Sequence, residues 1–338
     1  MSRQISIAFQ TDKSAADYIA LAQLVDRYDF DVVSVYCDAP YHPSYGPLLL
    51  MAPHIQRARL GPAAVSPFRI HPIDIAANTA LLADLAAGRV YIGLARGAWL
   101  ADHGIREPDK PISAIREAVE IIRMLLSGQN TGYQGRVYQI DPHVRALYPL
   151  PPDPLPVMIG SWGPKLAALA GEIADDVKVG GSANQELVPI MLRYIQEGEQ
   201  KVGRLPGSVG LVMGSVTVVD EDRDLARKLA KEKVSLYLPV VAALDSTLEV
   251  EPDLIERVRK AGEVGDWVTA GRQISDELLD RFALAGDAHD IIQRTLALYE
   301  AGVRRVEFGT PHGIRGEKGI NILGKNVIPV IKDYVWRE

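Results

Sequence analysis

Apolar residues along this chain switch repeatedly between two spacings, and the alternation predicts the architecture. Residues 5–10 form a short apolar run that reads as a buried strand. Ser14-Ala-Ala-Asp17 then opens a stretch in which Ile19, Leu21, Ala22, Leu24 and Val25 recur at helical spacing. The same pair of signals keeps returning. Further strands are expected at 31–36, 60–65, 90–94, 157–160, 177–180, 209–219 and 305–308. Helices are expected at 46–56, 72–87, 113–127, 164–174, 185–202, 221–236, 287–301 and 324–334. Pro72 near a first turn and Gly88 just past a last one agree with helix-end preferences.

Two stretches break the rhythm. Residues 128–155 are rich in turn formers and predict an excursion with a small hairpin around Gly135. Residues 238–280 predict an irregular, partly helical insertion. The strand–helix rhythm resumes after each, so residues 1–338 read as one domain. Eight strand–helix units on a chain of this length point to an α/β fold, a (β/α)8 TIM barrel with insertion segments. A doubly wound parallel sheet is the competitor, and the unit count disfavours it.

Composition narrows the function. Hydrophobic residues at 47% and charged residues at 24% are those of a globular protein. The net charge is -6, with no basic block, which argues against nucleic acid as partner. No apolar stretch approaches the roughly 18 residues of a membrane span. The start, MSRQISIAFQ, has no signal-peptide pattern, and the single cysteine, Cys37, allows no internal disulfide. A cytoplasmic protein is the expectation.

In a barrel of this kind chemistry sits where strands end and loops begin. Those points are Cys37-Asp38, Ser66-Pro-Phe-Arg69, Ala95-Arg-Gly-Ala-Trp99, Ser161-Trp-Gly163, Gly180-Gly-Ser182 and Thr310-Pro-His-Gly313. They are small, aromatic and hydroxyl-bearing, with few carboxylates. The seven histidines include no close metal pair, so no metal site is expected. There is no nucleophile elbow either. What remains is a mouth suited to a flat organic cofactor that brings its own reactivity. Gly93-Leu-Ala-Arg-Gly97 resembles a nucleotide fingerprint, but a loop follows Gly97 where a helix is required, so the phosphate reading fails. The stretch is either a floor on which an aromatic plane lies close to backbone or a plain strand-to-loop turn. Gly180-Gly181-Ser182, just before a helix, is either an anion site built from free N–H groups or an ordinary capped turn. Ser161-Trp162-Gly163-Pro164 offers a second site of that kind. Trp99 and Trp162 either stack on a substrate or pack beneath loops. Arg69, His71 and Arg106 either receive an acidic cofactor tail or are isolated surface cations.

Four segments carry a family resemblance: LGPAAVSPFRIHP, DLAAGRVYIGLARGAW, PVMIGSWGPKLAALAGEIADDV and GEKGINILG. In order, over nearly the whole chain, they resemble the luciferase-like flavin and deazaflavin oxidoreductases. The likeness is strongest to the coenzyme F420-dependent methylenetetrahydromethanopterin reductase branch. The resemblance implies a (β/α)8 fold with an insertion, a cofactor at the C-terminal mouth, and a homodimer or higher homo-oligomer. It also implies a non-prolyl cis peptide at Ala63-Ala64, backing the cofactor ring. The positions matching family cofactor contacts are Asp38, Ala63, Ala64, Val65, Gly97, Ser161 and Gly163, with Gly180, Gly181 and Ser182 in the phosphate region.

The departures matter as well. Family reductases tend to carry a glutamate on strand one, a histidine after the strand-two aspartate and an acid after the strand-four glycines. The matching residues here are Ala8, Ala39 and Ala98. Asp38, His42 and Arg96 are the candidate catalytic residues, with Tyr41 as a further replacement. The resulting expectation is an F420-dependent enzyme moving a hydride between the deazaflavin and a small, pterin-like substrate, a step in which positioning does most of the work. The rivals are an FMN-dependent luciferase-like monooxygenase and a cofactor-binding barrel without turnover.

Overall fold

The computed structural model describes residues 3–334; the first two and last four residues of the span read as one domain lie outside it. Eleven strands form among the described residues. They are β1 (Gln4–Phe9), β2 (Val32–Val35), β3 (Arg59–Pro62), β4 (Ile92–Leu94), β5 (Tyr133–Gln134), β6 (Gln139–Ile140), β7 (Val157–Gly160), β8 (Asp176–Gly180), β9 (Gly210–Val219), β10 (Ala283–Gly286) and β11 (Arg305–His312). The main sheet runs β3-β2-β1-β11-β9-β8-β7-β4. Its open ends meet through parallel bridges, Leu60 to Val90 and Val65 to Leu94, which close an eight-stranded parallel barrel. This is the expected (β/α)8 architecture, and the strand order excludes the doubly wound sheet.

Local sequence sets the helix ends. Ser14 and Asp17 form a reciprocal capping box before the helix Ala15–Val25, and Asp287 and Asp290 do the same before Ala288–Ala301. The excursion after the helix Pro111–Leu126 does contain the hairpin expected near Gly135, as β5 and β6. It is pinned by Glu117, whose carboxylate accepts the backbone N–H groups of Arg136, Val137 and Tyr138 at 2.8, 2.9 and 2.9 Å.

Three readings need correction. The insertion is mostly helical: Arg223–Val241 continues through Pro239, and Pro252–Glu263, Trp267–Arg272 and Asp276–Phe282 follow. Strand β10 carries no signal of its own because Ala283, Leu284, Ala285 and Gly286 fall directly between a helix end and the Asp287 cap. It pairs with Val216 to Val219, the upper half of β9, and the insertion packs on that pair around Val216, Val218, Leu238, Val258 and Phe282. The closing helix starts earlier, at Gly316, and passes through a π turn at Leu323–Val327 before Ile328–Asp333.

Strand residues alternate in direction, so every second residue enters the barrel. Outward positions such as Ile5, Ile7, Phe9, Val33 and Val35 build the apolar layer beneath the helices. The inward positions are unusually polar. In a lower layer Arg305, 1% exposed, pairs with Asp176 at 3.2 Å and lies over the Tyr91 ring. One step higher, Lys178 of β8 forms an ion pair with Glu307 of β11. Ser34 of β2 donates to the same carboxylate at 2.7 Å and lies 2.9 Å from the Tyr91 hydroxyl. Charges buried this deeply survive only when paired and hydrogen-bonded, and here they are.

Candidate active site

Above the Lys178–Glu307 layer the barrel opens at its C-terminal end, and the mouth has two unlike halves. On the contiguous strands β8, β7, β4 and β3 the inward residues at this level are Gly180, Gly160, Ala95 and Ala63. The Ala63-Ala64 peptide is cis, as the resemblance implied. Ala63 and Val65 keep their backbone bonds to Val35 and Gly93, so the bulge is held from both sides. Gly97 has φ 98°, a conformation that favours glycine. A Cβ there would also lie 3.2 Å from both Leu100 and Ser66. This half is a shallow, nearly side-chain-free wall.

The opposite half, on β2, β1, β11 and β9, is built for hydrogen bonding. Tyr36 directly follows β2, and its ring lies 5.2 Å from the Lys178 ammonium. Asp38 accepts from Gln10 at 3.1 Å. Burial raises the Asp38 carboxyl above its ordinary range, against the Gln10 hydrogen bond and the nearby Lys178 and Arg69 charges. Tyr237, from the insertion helix Arg223–Val241, leans over this side; burial and then Asp38 hold its phenol high. Trp99 reaches from the β4 loop to within 6.3 Å of the Tyr237 ring, so these aromatics bridge the mouth. His312, at the end of β11, is buried with its Nε2 3.0 Å from the Ala8 carbonyl. Desolvation lowers it to about 4, so it is a neutral donor and a structural post.

Beside the wall lies a cleft of about 530 Å³ lined by Arg69, His71 and Arg106, together with Phe68, Glu107 and Tyr138. The three residues that the sequence offered for an acidic tail therefore share one groove. Arg69 also donates to the Cys37 carbonyl at 3.0 Å, which ties the groove to the Asp38 corner.

The remaining candidates divide. His42 is exposed on the rim, its backbone N–H donating to the Thr11 carbonyl. Arg96 turns its guanidinium to Glu107 at 2.7 Å in a rim ion pair. Tyr41 is 43% exposed. None of the three reaches the floor. The 180–182 turn differs from its reading as an anion site. Gly181 and Ser182 both donate to the Gly214 carbonyl, Ala183 to that of Arg281, and Asn184 to the Ser182 hydroxyl. The Gly181 and Ser182 N–H groups are thus both taken, and the following helix starts only at Leu187 behind Glu186. The Ser161–Gly163 turn is the opposite case. It leads straight into the helix Pro164–Ile173 with no side-chain cap, and a Cβ at Gly163 would meet nothing within 4 Å. Trp162 spans back to donate to the Gly180 carbonyl at 3.1 Å.

Against this geometry stand the comparisons with known proteins. The profile of the luciferase-like monooxygenase family matches residues 3–305. The chain belongs to that family. Among its relatives, the 5,10-methylenetetrahydromethanopterin reductase of Archaeoglobus fulgidus is 30% identical over 296 residues, 85% of this chain and 87% of that one. An F420-dependent glucose-6-phosphate dehydrogenase of Microbacterium testaceum is 26% identical over 283 residues, 82% and 79% of the two chains. The coenzyme F420-dependent tetrahydromethanopterin reductase of Methanopyrus kandleri superposes with a TM-score of 0.90 at 25% identity, over 98% of this chain and 100% of that one.

For a luciferase-like barrel, the residues that the sequence did not single out are the telling ones: Tyr36, Lys178, Glu307 and Tyr237. A signal was present. DVKVG and RVEFG place Asp176 and Lys178, then Arg305 and Glu307, at alternating positions of strands otherwise buried. Alternate residues of a strand share a side, so those charges had to enter the barrel together.

Proposed function

We propose that this chain is an F420-dependent oxidoreductase that moves a hydride between the deazaflavin and a small substrate of the tetrahydromethanopterin type. One observation carries the reading: the continuous small-residue wall from Gly180 through Gly160 and Ala95 to the cis Ala63-Ala64 bulge, which accepts a flat ring where larger side chains would collide. Ala63, Ala64, Val65 and Gly97 would hold the ring. The uncapped helix start at Ser161–Gly163 would take the phosphate, and the Arg69–His71–Arg106 groove an acidic tail. When bound, the deazaflavin supplies the two-electron hydride chemistry. The chain's part is to orient the reactants, exclude water beneath the Trp99–Tyr237 bridge, and hold Asp38 in its partly desolvated corner. The relatives named above support F420 over FMN.

The test is a fluorescence titration of purified protein with F420 and, separately, with FMN, on the wild type and on Gly97→Val. Saturable F420 binding that Gly97→Val abolishes is expected. The variant also carries a folding cost of about 1–2 kcal/mol, because valine is strained at this φ and crowds Ser66 and Leu100. Binding of FMN alone, with oxygen uptake on reduction, would put the monooxygenase in its place.

A further inference from the structure

From the end of β2, Tyr36 sends its phenol across the hydrogen-bonding half of the mouth toward Gly309. Tyr36 remains partly accessible although protein surrounds it, as expected at the floor of a concavity. Its backbone is fixed by a 2.9 Å bond to the Phe9 carbonyl on β1. Its hydroxyl lies further off: a Cβ built on Gly309 of β11 would stand only 2.5 Å from that oxygen. β1 separates β2 from β11 in the barrel. The pairings Ala8 with Ser34 and Ile7 with Phe308 place Ala8 between the two ends of this span. The phenol therefore lies across Ala8, and small residues at 8 and 309 are what make room for it. Among the described residues its hydroxyl has no hydrogen-bond partner, while the ring face rests against the Lys178 ammonium.

We propose that Tyr36 is the substrate-contacting hydrogen-bond donor of this site, presenting its O–H to a nitrogen or oxygen acceptor bonded to the carbon that exchanges the hydride. The proposal rests on the function proposed above and names the part of the barrel that handles the substrate. Two observations assign the hydroxyl to substrate and not to cofactor. The side-chain-free wall is confined to β8, β7, β4 and β3, and the Tyr36 oxygen sits on the other side, over β1 and β11. Asp38 and Tyr237 flank the same side, so an acceptor arriving there meets the Tyr36 and Tyr237 phenols under the aromatic bridge. Burial and the Glu307 charge hold the phenol well above its ordinary range, so it stays protonated and acts as donor, not base. The buried Lys178–Glu307 pair fixes the ring from below and is its positioning device.

The experiment uses Tyr36→Phe, which deletes the oxygen and keeps the ring on Lys178. Three quantities are measured for wild type and variant: the Kd for F420 by fluorescence, the Kd for tetrahydromethanopterin by calorimetry on the F420-loaded protein, and kcat/KM with methylenetetrahydromethanopterin. F420 affinity should change by less than about twofold, tetrahydromethanopterin binding should weaken by about three- to tenfold, and kcat/KM should fall by about tenfold or more. A thermal melt accompanies each protein, and the F420 Kd certifies a folded mouth. Unchanged pterin affinity and unchanged kcat/KM overturn the proposal. So does a loss of F420 affinity as large as the loss of pterin affinity, which would move the hydroxyl to the cofactor side. Failure of the wild type to bind F420 is a different result, and it removes the function proposed above.

Discussion

Lys178→Met is the sharpest perturbation this barrel offers. The ammonium and the Glu307 carboxylate sit inside the strands, their side chains 7% and 0% exposed. Methionine matches the lysine stem in length and leaves the buried Glu307 carboxyl without its cation, the Ser34 hydroxyl at 2.7 Å being its remaining donor among the described residues. Two unit charges about 4 Å apart attract by about 4 kcal/mol at an effective dielectric of 20. Measured losses on breaking a buried pair are about 3–5 kcal/mol. That is a large share of the roughly 5–15 kcal/mol that holds an ordinary domain folded. The double variant Lys178→Met/Glu307→Gln removes both charges while the amide oxygen can still accept from Ser34, so it should return to within about 1–2 kcal/mol of wild type. The assay is equilibrium urea denaturation of all four proteins in the cycle, followed by intrinsic fluorescence, with the coupling energy read directly. If Lys178→Met alone lies within about 1 kcal/mol of wild type, or the double variant is no better than the single, the pair is not the buried, mutually dependent unit described here.

Other outcomes follow from the same geometry. Gly163→Glu enters open space at an ordinary backbone angle, so it should leave the melting temperature unchanged and weaken F420 selectively over a deazaflavin lacking the phosphate. Equal affinities in the variant and wild type would remove the phosphate from that turn. Gly181→Asp is a poorer probe, since φ 80° and a 3.2 Å approach to Val241 give it a folding cost of its own. His312, displaced from 6.5 to about 4, favours the folded state only while neutral. Its contribution is complete above pH 6.5 and is lost as pH falls toward 4, about 3 kcal/mol in all. Stability measured from pH 7 to 4 should therefore fall less steeply in His312→Asn, whose residue type tolerates the left-handed backbone at φ 72°. Asp38 is the reverse case: its carboxyl is raised by burial, so its ionisation as pH rises through the unfolded value works against folding. Asp38→Asn should gain stability at neutral pH and lose kcat/KM, a trade seen by pairing a thermal melt with turnover. A variant that loses both would show that the carboxylate is structural.

The sequence by itself determined the barrel and its periphery. Period-2 and period-3.6 apolar runs depend on local burial alone, so eight strand–helix units, the hairpin near Gly135 and the helix caps were legible without any long-range contact. The strand-end rule located Asp38, Gly97, Ser161 and the 310–313 segment on the mouth, and the family motifs located the cis Ala63-Ala64 bond. Pairing is what one dimension does not encode. Lys178 and Glu307 are 129 residues apart, and Tyr36 meets Gly309 only because β1 joins β2 to β11 when the sheet closes. The same holds for the 180–182 turn, whose N–H groups looked free until β9 supplied the Gly214 carbonyl. It holds also for Arg96, which finds Glu107 on the rim instead of the floor. Local pattern selects which way a residue faces; only the closed barrel decides what it faces, because the partners lie on other strands and loops that local periodicity does not bring together.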